Sequence, residues 1–220
     1  MCPMDSLVAA GNAAGPSRGA RKKAAILEAA KQVFFANGFV GASMDQVAAT
    51  AAVSKQTVYK HFSDKEALFR EVVTNVVRAR DGGIPTDFLS TSEGPIGELL
   101  RSFARHFLKG VMQPDVLKLR RLVIGEAGRF PELGRSFYDL GPKRATEQLA
   151  VALREAAGRQ RMFLEDPGLA ADHLLCLILS IPLNQAMLLG DEYAFTDAAL
   201  DRYADEGVTA FLRAYGFSDR

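Results

Sequence analysis

The sequence predicts an all-α protein. Three observations carry that reading: apolar residues recur at three- and four-residue steps along most of the 220 residues, no stretch sustains strand alternation between hairpin signals, and serines, prolines and glycines stand where helix ends require them. A first helix spans about 20–36, with Ile26, Ala30, Val33, Phe34 and the following Phe39 as its inward stripe and Asn37-Gly38 as its stop. A second runs from about 44 to 51; Ser43 stands at its N-cap, and Gln46 three residues later completes a capping box. After the turn "AVS", Ser54 can cap a short third helix whose Val58 and Phe62 face inward at i and i+4. Ser63 with Glu66 reads as a second capping box, opening a longer helix to about Arg80 with Leu68, Val72, Asn75 and Val76 along its inner flank.

"DGGIPTDFLSTSEGP", residues 81–95, is rich in turn formers and reads as a linker. Beyond it helices are expected at about 96–112, 115–128, 131–158 with a break at Gly141-Pro142, 167–189 and 196–214. Pro114, Pro131 and Pro167 each sit at or near a helix start, where the missing N–H costs nothing. The expected division is a flexible tail (1–18), a helix-turn-helix domain (19–63), a connecting helix (64–80), the linker (81–95) and a C-terminal domain (96–220).

Composition narrows the function classes. Net charge is +1, so any basic surface is local. Residues 1–61 hold seven Lys/Arg against three acids, a net +4, which leaves −3 for the remainder. The two cysteines, Cys2 and Cys176, form neither a disulfide framework nor a metal-ligand spacing, and a reducing cytoplasm is the simplest setting. The N-terminal residues lack the pattern of a secretory signal. "LLCLILSIPLNQAMLL" is broken by Pro182, Asn184 and Gln185, which points to a buried helix of a soluble protein rather than a membrane span.

Two short helices joined by a three-residue turn are the geometry of a helix-turn-helix, whose second helix enters the DNA major groove. On that helix Lys55, Gln56, Thr57, Tyr59, Lys60 and His61 occupy the outer positions and the ends. Phosphates demand cations, hydroxyls and free helix N-termini, which Lys55, Tyr59, Lys60, His61 and Ser54 supply. Base edges demand groups that donate and accept, which Gln56 and Thr57 supply. Ser43 and Met44 at the start of the second helix, Lys65 at the start of the fourth, and the arm residues Arg18, Arg21 and Lys22 complete the set expected on DNA. A solvated basic tail is the plainer reading of that arm, next to Lys23.

The run "ILEAAKQVFFANGFVGASMDQVAATAAVSKQTVYKHFSDKEALF" resembles the DNA-binding domain of TetR-family transcriptional regulators. The resemblance rests on Gly38-Phe39, Ser43, Val53-Ser54, Tyr59, His61-Phe62 and Lys65-Glu66-Ala67-Leu68. It implies a homodimer that offers one third helix to each half of an inverted-repeat operator, and a C-terminal domain that binds a small-molecule effector. One departure is Ala52, where the family usually has Gly: Ala there either avoids a left-handed conformation or carries about 1 kcal/mol of strain. "LRRLVIGEAGRFPELGRSFYDLGPKRATEQLAVAL", residues 119–153, is similar to the C-terminal domains of AefR-like or AcrR-like members.

In that half, Phe103, His106 and Phe107 are either a pocket wall or plain core. Arg120, Arg121 and Glu126 either hold a polar ligand or form a solvated charge pattern. The helix over 167–189 is apolar on nearly every face, which suits burial in a subunit interface formed with the last helix, so dimerisation is expected through about 167–214. Asn184 and Gln185 there either set the register of that interface or point into a ligand cavity. His106 and His173 lack carboxylates at ligand spacing, so no metal is expected, and no cofactor or catalytic constellation stands out. The reading is a transcriptional repressor released from double-stranded DNA by a small molecule; the alternative is a DNA-binding protein without small-molecule control.

Overall fold

The computed structural model describes residues 17–80, 94–159, 163–190 and 195–217; the tail through residue 16 and most of the expected linker, 81–93, lie outside the described residues. The described chain is helical: α1 (Arg18–Gly41), α2 (Met44–Thr50), α3 (Lys55–His61), α4 (Lys65–Arg80), α5 (Ile96–Val111), α6 (Pro114–Glu126), α7 (Pro131–Tyr138), a π-helical turn (Asp139–Lys143), α8 (Arg144–Arg159), α9 (Pro167–Leu189) and α10 (Asp197–Tyr215). Pro114, Pro131 and Pro167 each open their helix as expected.

Local chemistry accounts for most boundaries. Ser17 Oγ accepts from the Ala20 N–H at 3.2 Å, so α1 begins at Arg18, earlier than periodicity suggested, and Arg18 is helical rather than part of a tail. Gly38, at φ 70° and ψ 176°, interrupts the helix where Asn37-Gly38 predicted a stop and turns Phe39 into the core. The expected Ser63–Glu66 capping box is not what opens α4. Asp64 Oδ1 accepts from the Ala67 N–H at 2.6 Å, and Ser63 Oγ donates to Asp64 Oδ2 at 2.8 Å. A carboxylate is the stronger acceptor for orphan amides, and it takes the cap. The buried strip of α4 is Leu68, Phe69, Val72, Val73, Val76 and Val77, two residues wide per turn, which leaves Asn75 exposed rather than on the inner flank.

Two cores result. The first joins α1–α4 to α6 and α7: Phe34, Phe39, Phe69 and Phe130 interlock with ring centroids 5.1–5.9 Å apart, and Val116, Leu119, Val123, Leu133 and Phe137 extend the same cluster. The second packs α5, α8, α9 and α10 around Leu100, Leu108, Leu149, Leu153, Leu174, Ile178, Val208 and Phe211. Arg105 and Lys109 on α5 pair with Asp205 (2.6 Å) and Asp201 (2.8 Å) on α10. The head is therefore continuous with part of the C-terminal half, and the division into 19–63 and 96–220 does not coincide with the cores. The π-helical turn carries Gly141 and Pro142 and links α7 of the first core to α8 of the second; proline offers no N–H for a four-residue hydrogen bond, and the widened turn absorbs the defect.

Helix α9 has two apolar faces of different exposure within one chain. Ala170, Ala171, Leu174, Leu175 and Ile178 are buried in the second core and Pro182 and Ala186 are buried beyond it, whereas Leu169, Leu177, Ile181 and Leu188 are exposed, Leu188 to 81%. Within one subunit only the inner face has neighbours. By length and composition α9 also qualifies to cross a membrane, and its inner face is packed against the other helices of the second core.

Candidate nucleic-acid interface

The α2–turn–α3 unit is built by three local devices. At the start of α2, Ser43 Oγ accepts from the Gln46 N–H (3.2 Å) and Gln46 Oε1 accepts from the Ser43 N–H (2.9 Å), the expected capping box. At its end, the Val53 N–H donates to Ala48 O (3.0 Å) and the Ala52 N–H to Ala49 O (3.2 Å), a Schellman closure that requires a left-handed residue at Ala52, which has φ +51°. Ala52 thus carries the strain rather than avoiding it. At the start of α3, Ser54 Oγ accepts from the Thr57 N–H at 3.2 Å.

Val58, fully buried, and Phe62 anchor α3 to the first core, and this rotation directs Lys55, Gln56, Tyr59 and Lys60 outward, all four exposed. Tyr59 is 46% exposed with Lys55 Nζ 6.0 Å from its ring centre. His61 is half-buried in the last turn, where with Lys60 it complements the helix dipole. Lys55 is already engaged: its Nζ lies 2.8 Å and 3.1 Å from the two carboxylate oxygens of Asp45 on α2, and this hydrogen-bonded charge pair raises the Lys55 pKa above its ordinary value. Arg18, Arg21 and Lys22 are exposed at the start of α1.

Several expected contacts are corrected by the packing. Met44 is 6% exposed and belongs to the first core, so its side chain is not available to a groove. Lys65 Nζ donates to Phe39 O (2.8 Å) and Ala42 O (3.0 Å) and stands 4.6 Å from the centre of the Phe39 ring, clamping the chain reversal between α1 and α2. Its ammonium satisfies carbonyls that the end of α1 leaves open. Thr57 Oγ1 is hydrogen-bonded to Ser54 Oγ at 2.8 Å, an exposed contact that leaves the hydroxyl capacity for a further partner. Asp45 was missed: an acid in the first turn of α2 reads only as a dipole partner until tertiary structure brings it to Lys55.

The candidate ligand residues do not converge on one pocket. Phe103 and Phe107 stack at 5.4 Å against the second core. His106 lines a cleft of about 480 Å³ with Arg105, Lys109 and Asp201. Adjacent residues on a helix diverge by about 100°: the Arg120 guanidinium lies 5.4 Å from the Phe137 ring centre, whereas Arg121 donates to Ala186 O on α9 at 2.8 Å. Arg121 and Glu126 line a separate cleft, also about 480 Å³, between α1 and α6. Asn184 is exposed and donates to Ser180 O of its own helix. Among the described residues, the buried His106 Nε2 and Gln185 Oε1 have no hydrogen-bond partner.

Known proteins share this arrangement. The profile for bacterial regulatory proteins of the tetR family matches residues 26–72, and that for the C-terminal domain of AefR-like transcriptional repressors matches residues 98–217. The transcriptional repressor SCO4008 of Streptomyces coelicolor is 30% identical over 188 residues, 81% of this chain and 89% of that protein. A TetR-family transcriptional regulator from Mesorhizobium loti superposes with a TM-score of 0.79 at 40% identity, covering 91% of this chain and 99% of that one. The flavonoid-responsive regulator FrrA does so with a TM-score of 0.74 at 33% identity, covering 88% and 96%.

Proposed function

This chain belongs to the TetR family of transcriptional regulators, and from that premise we propose that it represses transcription by setting the outer face of α3 into successive major grooves of an inverted-repeat operator, and that a small molecule releases it. The observation that carries the reading is the outward set Lys55, Gln56, Tyr59 and Lys60 on a capped helix whose opposite side is anchored by Val58 and Phe62. Gln56 is the base reader, because its amide both donates and accepts; Tyr59, Lys60, His61 and the arm residues Arg18, Arg21 and Lys22 hold phosphates. Ser43 and Ser54 act through the caps they make, which present helix N-termini to the backbone.

Regulators of this family bind DNA operators and form dimers. For this chain the interface we propose is the exposed row Leu169, Leu177, Ile181 and Leu188 of α9 together with α10, paired with a second copy as a four-helix bundle. Two recognition helices must then stand about 34 Å apart to meet successive grooves. A ligand releases the operator only if it prefers a state with a different spacing. Partnerless His106 Nε2, beside the cleft lined by Arg105, Lys109 and Asp201, supports a ligand with a hydrogen-bonding group, since an unsatisfied buried polar atom costs about 1–3 kcal/mol. The likeness to a protein described as flavonoid-responsive supports an aromatic, hydroxyl-bearing effector. Acting on chromosomal DNA, the chain would work in the cytoplasm.

The test is a binding titration on duplexes cut from the DNA beside its own reading frame, searched for an inverted repeat. Lys60→Ala weakens binding to all sequences alike, while Gln56→Ala costs about 1–3 kcal/mol of discrimination at one base pair. Equal losses from both on every duplex would refute the assignment.

A further inference from the structure

The Asp45–Lys55 pair bridges the two helices of the motif on its outer side, with both side chains exposed, 65% and 59% respectively. Neither partner needs the other for the fold. Asp45 already has a favourable position in the first turn of α2, and α2 and α3 are held by Val47, Ala48, Val58 and the caps. An exposed pair of this kind contributes little stability and is exchangeable. Lys55 is the first residue of α3, the position from which a cation reaches a phosphate beside the groove. Lys60, on the same helix, makes no ion pair among the described residues.

We infer that Asp45 is a specificity-determining residue, whose carboxylate competes with DNA phosphates for the Lys55 ammonium and so holds down binding to duplexes of the wrong sequence. The inference rests on α3 being the DNA-facing helix. On a mixed-sequence duplex the protein sits loosely, and Lys55 stays with Asp45. On the operator, base contacts draw α3 deep enough for a phosphate to replace the carboxylate. Lys55 then counts toward specific binding and not toward non-specific binding, which widens the ratio that matters among many competing sites.

The experiment is fluorescence anisotropy of the full chain with a short labelled duplex of mixed sequence over a series of salt concentrations. Asp45→Asn is expected to bind about two- to five-fold tighter than wild type, with a log–log salt slope steeper by about 0.9. The gain should vanish when Lys55→Gln is added. A simple brace between α2 and α3 predicts the opposite sign, because losing it loosens α3; unchanged or weaker binding by Asp45→Asn therefore overturns the inference. So does a gain that survives Lys55→Gln, which would make Asp45 merely repulsive. Should Asp45→Asn fail to fold, Lys55→Gln alone decides: the wild-type slope on mixed-sequence DNA stays unchanged if Lys55 is held back, and a loss of about 0.9 overturns the proposal. Wild type that binds no duplex at low salt would instead remove the DNA-binding reading itself.

Discussion

The two cores differ in what they are made of and in which parts of the chain they join. The first is aromatic and crosses the sequence: Phe34 and Phe39 of α1 and Phe69 of α4 form a ring cluster that Phe130, which follows α6, joins through Phe39. The Lys31–Asp115 ion pair at 2.7 Å adds a second tie between α1 and α6. Among the described residues the second core draws on α5, α8–α10 and Phe217 just beyond α10, and many of its buried residues are small: Ala104, Ala152, Ala156, Ala170, Ala171 and Ala204 let helices approach closely. The difference teaches that the platform of α3 is partly C-terminal. Residues of α6 and α7 share one core with Val58 of α3, so α4 is not the only element that joins α3 to the C-terminal half among the described residues.

The strongest test of that contrast is Phe39→Ala. Truncating a buried phenylalanine costs about 3–5 kcal/mol, and here the loss should fall on α6 and α7 as well as on the head. Hydrogen exchange would register it as lost amide protection in all six helices of the first core, with α9 and α10 less affected. Retained protection in α6 and α7 would show that the head unfolds by itself, and the shared core would be disproved.

The counterpart in the second core is Gly207→Ala. A Cβ on Gly207 would lie 2.7 Å from Ile178 Cγ2 and 3.3 Å from the Leu177 backbone, so α9 and α10 must part. Overpacking of this kind costs about 1–3 kcal/mol. Protection should fall in α9 and α10 while α2 and α3 keep theirs; an equal loss in both would mean that the cores are not separable.

These contrasts mark how far the sequence could be read. The all-α class, the caps at Ser43 and Ser54, the break at Gly38 and the three helix-opening prolines were legible, because each depends on residues within one turn. The outward face of α3 was legible for the same reason: Val58 and Phe62 fix its rotation. Roles set across the chain were not. Lys65 differs from a surface lysine only in meeting the carbonyls of residues 23 and 26 positions earlier. Phe39 meets Phe130 through tertiary packing alone, and the scattering of Arg120, Arg121 and Asn184 depends on which neighbouring helix each side chain meets. At Ser63 and Asp64 two capping residues stood side by side, and acceptor strength decided between them.

A smaller effect sharpens the comparison from the stabilising side. Ala52 has φ +51°, a conformation that costs an L-residue about 1–2 kcal/mol and glycine nothing, while glycine's extra unfolded-state freedom returns about half of that. Ala52→Gly should therefore stabilise the first core by up to about 1 kcal/mol, read as a higher urea midpoint followed by a probe in α2 or α3. No gain would mean that the Schellman closure is not maintained in solution.

The smallest effect concerns acid. The Asp64 pKa is depressed below its ordinary 3.8, first by the Ala67 N–H that its carboxylate accepts and then by the Ser63 hydroxyl. A depressed carboxylate contributes stability that is fully present above the unfolded-state value and is lost as pH falls through the lower folded-state value. The window therefore opens just below pH 3.8. Asp64 caps α4 in the first core, whereas the ion pairs of α5 with α10 belong to the second, so the start of α4 should loosen as this one carboxylate protonates. Exchange of the Ala67 amide, compared between wild type and Asp64→Asn, provides the measurement. Wild-type protection should decline through the window, and the variant, which has no carboxylate to titrate, should show no such decline. Parallel declines in both proteins would assign the acid sensitivity to groups other than this cap.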